Sequence, residues 1–185
     1  MESLKGYFLI STPQMPDPRF QKRVVYLCVH SEEGAMGLVV NQSLPDIQLV
    51  DILQSAAIQV PATIVLPPVY MGGPVGLDTA FILYTSAGYT TEHTLVVSET
   101  VSLSADPQIL RDIAQGRGPR DYLFTLGYSG WAPGQLENEL TVDGWLPLPA
   151  DDEILFHTPD ELKWKKAAEK YGINITLFGE MVGSA

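Results

Sequence analysis

The chain has 185 residues, 45% of them hydrophobic and 18% charged, which predicts one domain with a full core and excludes a disordered chain. Its one cysteine, Cys28, excludes an internal disulfide. The start MESLKGYFLI does not have the form of a secretory signal, and no run approaches the roughly 18 apolar residues of a membrane span. A cytoplasmic protein without a membrane segment is expected.

Charge narrows the partners. The net charge is −11. No Lys or Arg lies between Arg23 and Arg111, where there are eight acidic residues, or between Arg120 and Lys163, where there are nine. Binding a duplex depends on Lys and Arg displacing counterions. A direct DNA-binding regulator is therefore the weakest reading, and only a gathering of Arg23, Arg117, Arg120 and Lys166 into one groove would restore it.

In chain order, residues 7–10 read as a first strand, closed by the Pro-rich loop TPQMPDP at 12–18. Residues 24–30 (VVYLCVH) read as a second. Simple alternation places Val25, Leu27 and Val29 on one face, and Val24, Tyr26, Cys28 and His30 on the other. After the turn SEEGAM, residues 37–41 return as a hairpin strand. Leu49, Ile52, Leu53 and Ala56 have helical spacing over 49–57. VPATIVLPPV is too rich in Pro to be a central strand. Strands are predicted at 80–85 and 94–97, separated by a Gly-containing turn.

A helix begins at the cap Asp106 with Pro107 next and stops near Gly116. Residues 121–127 read as a buried strand. A second helix follows Thr158, with Pro159 first, Glu161 closing a capping box, and Trp164, Ala167, Ala168 and Tyr171 on one face; Glu161 is spaced to pair with Lys165. Residues 173–178 (INITLF) read as a last strand. Strands in hairpin-like pairs with occasional helices predict a mixed, largely antiparallel sheet in one domain over 1–185.

The stretch GYSGWAPGQLENEL at 127–140, followed by GWLPLPA at 144–150, resembles the signature of the AlgH/YqgE family of bacterial proteins. PQMPDPRFQKRVVYL at 13–27, GAMGLVVNQ at 34–42 and MGGPVGLDTAFILY at 71–84 resemble the family in the same order. The resemblance implies a compact α+β domain around a mixed, barrel-like sheet flanked by a few helices. It implies no known activity and supplies no catalytic residue. Some members are labelled transcriptional regulators, on genetics of alginate production rather than on a DNA-binding motif. This chain departs from the family at Val29, often acidic there, and at Tyr84, often histidine.

Candidate chemistry is sparse. GYSGW fails the nucleophile-elbow pattern because Trp131 stands where the final Gly belongs. It is expected to be a turn, with Trp131 in the core. Gln135, Glu137 and Glu139 form an acidic, amide-bearing run, which is expected to be a solvated face unless the adjoining segment recruits it. GGPVG at 72–76 and GRGP at 116–119 lack the Lys and Ser/Thr of a phosphate loop and read as turns. His30, His93 and His157 have no metal-ligand spacing, and Cys28 reads as a buried, inert thiol. No catalytic residue, cofactor or metal is expected.

Two readings remain. The first is a non-enzymatic regulatory or protein-interaction domain with an unknown partner. The second is a small-ligand binder or enzyme. The candidate surface is Asn41, Gly72, Gly73, Pro74, Tyr128, Ser129, Trp131, Gln135, Glu137 and Glu139.

Overall fold

The computed structural model describes residues 2–142 and 144–177. Nine strands form one curled sheet: β1 (Tyr7–Ser11), β2 (Val24–Ser31), β3 (Gly34–Val39), β4 (Val69–Met71), β5 (Val75–Thr85), β6 (Thr94–Val96), β7 (Val101–Ser104), β8 (Tyr122–Trp131) and β9 (Trp145–Pro149). The path runs β6-β7-β5-β8-β3-β2-β1-β9, with β4 added beside β8. Every pairing is antiparallel except β4 with β8. Among the described residues five α-helices flank the sheet: α1 (Leu49–Ser55), α2 (Pro107–Ala114), α3 (Gln135–Thr141), α4 (Asp152–His157) and α5 (Asp160–Glu169). This is the mixed, largely antiparallel, half-barrel α+β domain that the strand pattern and the family resemblance predict.

The strands are apolar on both faces because both faces are covered. In β2, Val24, Tyr26 and Cys28 enter the core on the α4–α5 side, and Val25 and Leu27 enter the core on the α3 side. β1 repeats the split, with Phe8 and Ile10 on the first side and Leu9 on the second. A third cluster joins β5 and β8 to α1 and α2 through Ile82, Phe124, Leu53 and Ile109.

Helix α2 starts as its sequence predicts. The Asp106 carboxylate accepts the Gln108 N–H at 2.9 Å, and Pro107 takes the first helical position. Helix α5 starts differently. Thr158 serves the end of α4, donating its hydroxyl to Glu153 O at 3.2 Å, so the capping box with Glu161 does not form. Lys165 pairs with Glu169 at 3.8 Å instead of with Glu161. Tyr171 falls beyond the helix and is exposed, its hydroxyl on Pro149 O.

Several sequence expectations are corrected. GYSGW is not a turn but the second half of β8, a strand that bends at Gly127 (φ +75°). Its first half pairs with β4 and β5, and its second half pairs with β3 and, at Tyr128, still with Val75 of β5, so this one strand carries the curl of the sheet. Residues 173–177 form turns and not a strand, with Ile175 buried; residue 178 lies outside the described residues. A strand the sequence did not signal, β7, lies between β5 and β6 in the sheet. A bulge between Leu27 and Val29 reverses the alternation of β2. Cys28 therefore stays in the α4–α5 core, while His30, opposite Ala35, turns to the α3 side. The two do not share a face. No helix among the described residues is long and apolar enough to cross a membrane.

Candidate functional site

The family-like segments converge through backbone contact. Gly72 N–H donates to Leu126 O at 2.8 Å, and Gly72 O accepts from Val39 N at 2.7 Å and from the Ser129 hydroxyl at 3.2 Å. A Cβ on Gly72 would stand 2.4 Å from Gly127 O, and one on Gly73 would stand 2.2 Å from the Tyr128 carbonyl. Only glycine lets this loop lie flat on β8, so Gly72 and Gly73 act as a structural clamp. Asn41 is also structural: it accepts Val24 N–H at 3.0 Å and donates to Lys22 O at 2.9 Å. Tyr128 packs edge-on against Phe81, at 5.9 Å between ring centres. The Ser129 hydroxyl, spent on Gly72 O, has no base beside it among the contacts it makes.

Helix α3 sorts the acidic run by its period. Gln135 and Glu139, four residues apart, share one face, and Glu137 is turned away from it. Glu137 meets His30, whose side chain is 4% exposed, at 2.7 Å. Because His30 Nδ1 accepts the Leu4 N–H at 2.9 Å, the imidazole proton is on Nε2 and is donated to Glu137. That hydrogen bond holds the Glu137 carboxyl below its ordinary range. The tie joins the N-terminal segment, β2 and α3, and it orients α3 over the sheet.

On the opposite side of α3 lies a cleft of about 330 Å3, between the 13–20 loop, the end of β8, α3 and the start of β9. Met15, Trp131 and Trp145 are buried in its lining, with Phe20, Pro16, Pro74, Val75 and Val142 around them. Phe20 and Trp131 each meet Trp145 edge to face, at 5.4 and 6.1 Å. Into this apolar surface projects the Glu139 carboxylate. Both indoles donate Nε1–H to its Oε2 at 2.9 Å, and the Gln135 amide donates to its Oε1 at 2.8 Å. Gln135 is itself oriented by the Ala132 N–H, 3.0 Å from its Oε1. At the rim, Asp17 holds Arg19 by paired hydrogen bonds, the shorter at 2.7 Å, and the Arg19 guanidinium lies 5.9 Å from the Phe20 ring centre. That pairing lowers the Asp17 carboxyl and raises the Arg19 guanidinium.

Of the candidate surface, Pro74, Ser129, Trp131, Gln135 and Glu139 meet at this cleft, whereas Asn41, Gly72, Gly73, Tyr128 and Glu137 do not line it. Sequence reasoning missed Trp145, Phe20 and Met15 as members of the site. The available signal was that GWLPLPA and PQMPDPRF are family-like segments with aromatic residues beside turns. At the two departures from the family, Val29 is partly exposed, and buried Tyr84 shares a 2.6 Å hydrogen bond with Thr94. Among the described residues, no group of three or more His, Cys, Asp or Glu could hold a metal ion.

The fold and cleft define a class: a single-domain α+β half-barrel whose glycine clamp and indole-lined carboxylate are built from its most distinctive segments. The chain belongs to the AlgH-like family, whose model matches residues 8–176. It is 45% identical over 183 residues to a UPF0301 protein of Desulfotalea psychrophila, covering 99% of this chain and 95% of that one. It is also similar to the solution structure of the AlgH protein of Pseudomonas aeruginosa, at 41% identity and a TM-score of 0.80, covering 96% of this chain and 93% of that one. A crystal structure of a Corynebacterium diphtheriae protein shares the fold at 19% identity, with a TM-score of 0.75 and coverage of 96% and 91%. These names state no reaction and no ligand.

Proposed function

We propose that this is a cytoplasmic, non-enzymatic recognition protein whose binding site is the cleft between the 13–20 loop, α3 and β9. It acts through the molecule it binds there, which is consistent with a regulatory or protein-interaction role. The single observation that carries this reading is the Glu139 carboxylate, held in an apolar cleft by two indole N–H groups and one amide. Fixed polar groups on an apolar lining are what a small-ligand site requires, and about 330 Å3 sits at the small end of such sites, near the size of one ring or side chain. A binding role is favoured over a catalytic one because the Ser129 hydroxyl and both Glu139 oxygens are already engaged in fixed hydrogen bonds.

A nucleic-acid role fits less well. Lys163 is buried, and Arg19, Lys165, Lys166 and Lys170 are paired with carboxylates, which reduces a small stock of cations further.

The test is to titrate nitrogen-15-labelled protein with a set of small aromatic amines, amides and carboxylates. The indole Nε1–H signals of Trp131, Trp145 and Trp164 are followed. Saturable shifts at Trp131 and Trp145, with Trp164 still, are expected from part of the set. If no member moves either cleft indole, the reading is wrong.

A further inference from the structure

The charge of the cleft points to what it holds. Among the described residues its lining carries three charged side chains, Asp17, Arg19 and Glu139. Asp17 and Arg19 neutralise one another through paired hydrogen bonds. Among the described residues Glu139 has no such counter-charge, because the three groups that reach its carboxylate (two indoles and one amide) are all neutral donors. A carboxylate offers about four acceptor sites, two on each oxygen. Trp131 and Trp145 fill both sites on Oε2, and Gln135 fills one on Oε1. One site on Oε1 is left over by the described residues.

A neutral ligand covering the cleft would strip water from Glu139 and leave a buried charge unpaired, which is strongly unfavourable. An anionic ligand would add repulsion to the same penalty. A ligand donating a charged N–H to Oε1 would remove the penalty and gain a charge-assisted hydrogen bond. The aromatic lining favours the same sign of charge, because ring faces attract cations. The protein shows this preference at the rim, where its own Arg19 guanidinium lies 5.9 Å from the centre of the Phe20 ring.

Resting on the binding reading above, we infer that the cleft is a receptor for an organic cation on an apolar stem, with a guanidinium or ammonium head donating to Glu139 and its stem against Trp131, Trp145 and Phe20. A small amine or guanidine fits, and so does an Arg or Lys side chain of a protein partner. The shared chemistry is the cationic head and the stem of one side chain's size.

The experiment compares three benzyl probes: benzylguanidinium, its neutral isostere benzylurea, and the shorter anion phenylacetate. Affinity is read from the Trp131 and Trp145 indole signals. Benzylguanidinium is expected to bind about tenfold more tightly than benzylurea, the ratio between charge-assisted and neutral hydrogen bonds. Phenylacetate is expected to be weakest. The Glu139→Gln variant keeps an acceptor for the indoles and is expected to bring benzylguanidinium down to the level of benzylurea.

A measurement on the unaltered protein guards against a variant that fails to fold. Raising the salt concentration should weaken benzylguanidinium and leave benzylurea unchanged. Equal binding of all three probes, tightest binding of phenylacetate, a guanidinium affinity unaffected by both salt and Glu139→Gln, or no binding of benzylguanidinium overturns the inference. If benzylurea, phenylacetate or other neutral or acidic compounds still shift the two indoles, the cleft remains a binding site and only its charge preference has failed.

If benzylguanidinium does bind, N-acetyl-arginine amide and an arginine-containing peptide separate the two sources. Affinity that rises along that series points to a protein partner, and affinity that falls points to a free small cation.

Discussion

Lys163 offers a quantitative test of how α5 is docked. Its side chain is 2% exposed, donates to the buried Val40 O at 2.8 Å, and pairs with Asp160 at 3.1 Å. Its ammonium also lies 5.2 Å from the centre of the Tyr70 ring, whose hydroxyl donates to Asp160 at 2.9 Å. Replacing Lys163 with Met keeps the stem and removes the charge. Val40 O then loses its side-chain donor, a loss of about 1–3 kcal/mol. The lost ion pair adds at most about 1 kcal/mol, because Asp160 is 26% exposed and keeps both Tyr70 and water. Lys163→Ala also removes about three buried methylenes at about 0.8 kcal/mol each, for a total near 5 kcal/mol.

In a domain of this size each kcal/mol moves the melting temperature by about 2–4 °C. The expected order is therefore wild type, then Lys163→Met, then Lys163→Ala, with the last roughly 10–20 °C below the first. Exposed Lys165→Met is the control and should stay within about 0.5 kcal/mol. Calorimetry at neutral pH provides the readout. A Lys163→Met protein that melts at or above the wild type would refute the reasoning, because the buried carbonyl would then have no need of the ammonium.

Three further outcomes follow from other sites. His157 is bound by Glu153 at 2.8 Å and Asp121 at 2.9 Å, and the Glu153 bond first, then Asp121, raises its pKa above the ordinary 6.5. A raised histidine contributes stability that is full below the unfolded value and lost as pH rises through the folded one. The urea-midpoint difference between wild type and His157→Gln should thus be largest near about pH 5.5 and vanish by about pH 9; a gap that grows with pH would contradict the pairing. Gly73→Ala forces a Cβ to 2.2 Å from the Tyr128 carbonyl and should lose about 3 kcal/mol or more, whereas Gly134→Ala, in open space at φ +74°, should lose about 1 kcal/mol; equal urea midpoints would count against the clamp. Burial pushes the Cys28 thiol up to about 12, so a thiol reagent at pH 8 should label it only after urea unfolds the protein, and prompt labelling of the native chain would show the strand interior to be open.

Local periodicity explains where sequence reading succeeded and where it stopped. Asp106 and Pro107 cap α2 through contacts one turn apart, so the sequence alone predicts that helix start. GYSGW misleads because Gly127, which reads as part of a turn, serves here for close approach to the 72–73 loop, which is distant in sequence. Apolar periodicity alone leaves Lys163 off the inner face of α5, although its spacing to Ala167 puts it on the buried side. Simple alternation puts His30 on the wrong face because a single bulged residue reverses strand parity, and single-residue insertions leave no periodic trace.

The amino-acid sequence by itself determined the class of fold, the family and the surplus of negative charge, since each follows from local spacing, motif order or simple counting. Tertiary structure alone decided that Glu137 and Glu139, two residues apart, have unrelated tasks. One is tied to His30 and the other to two indoles from β8 and β9. The helical period turns the two side chains to different sides of α3. What each then meets depends on how the sheet curls around the bend at Gly127, a long-range property that neighbouring residues do not encode.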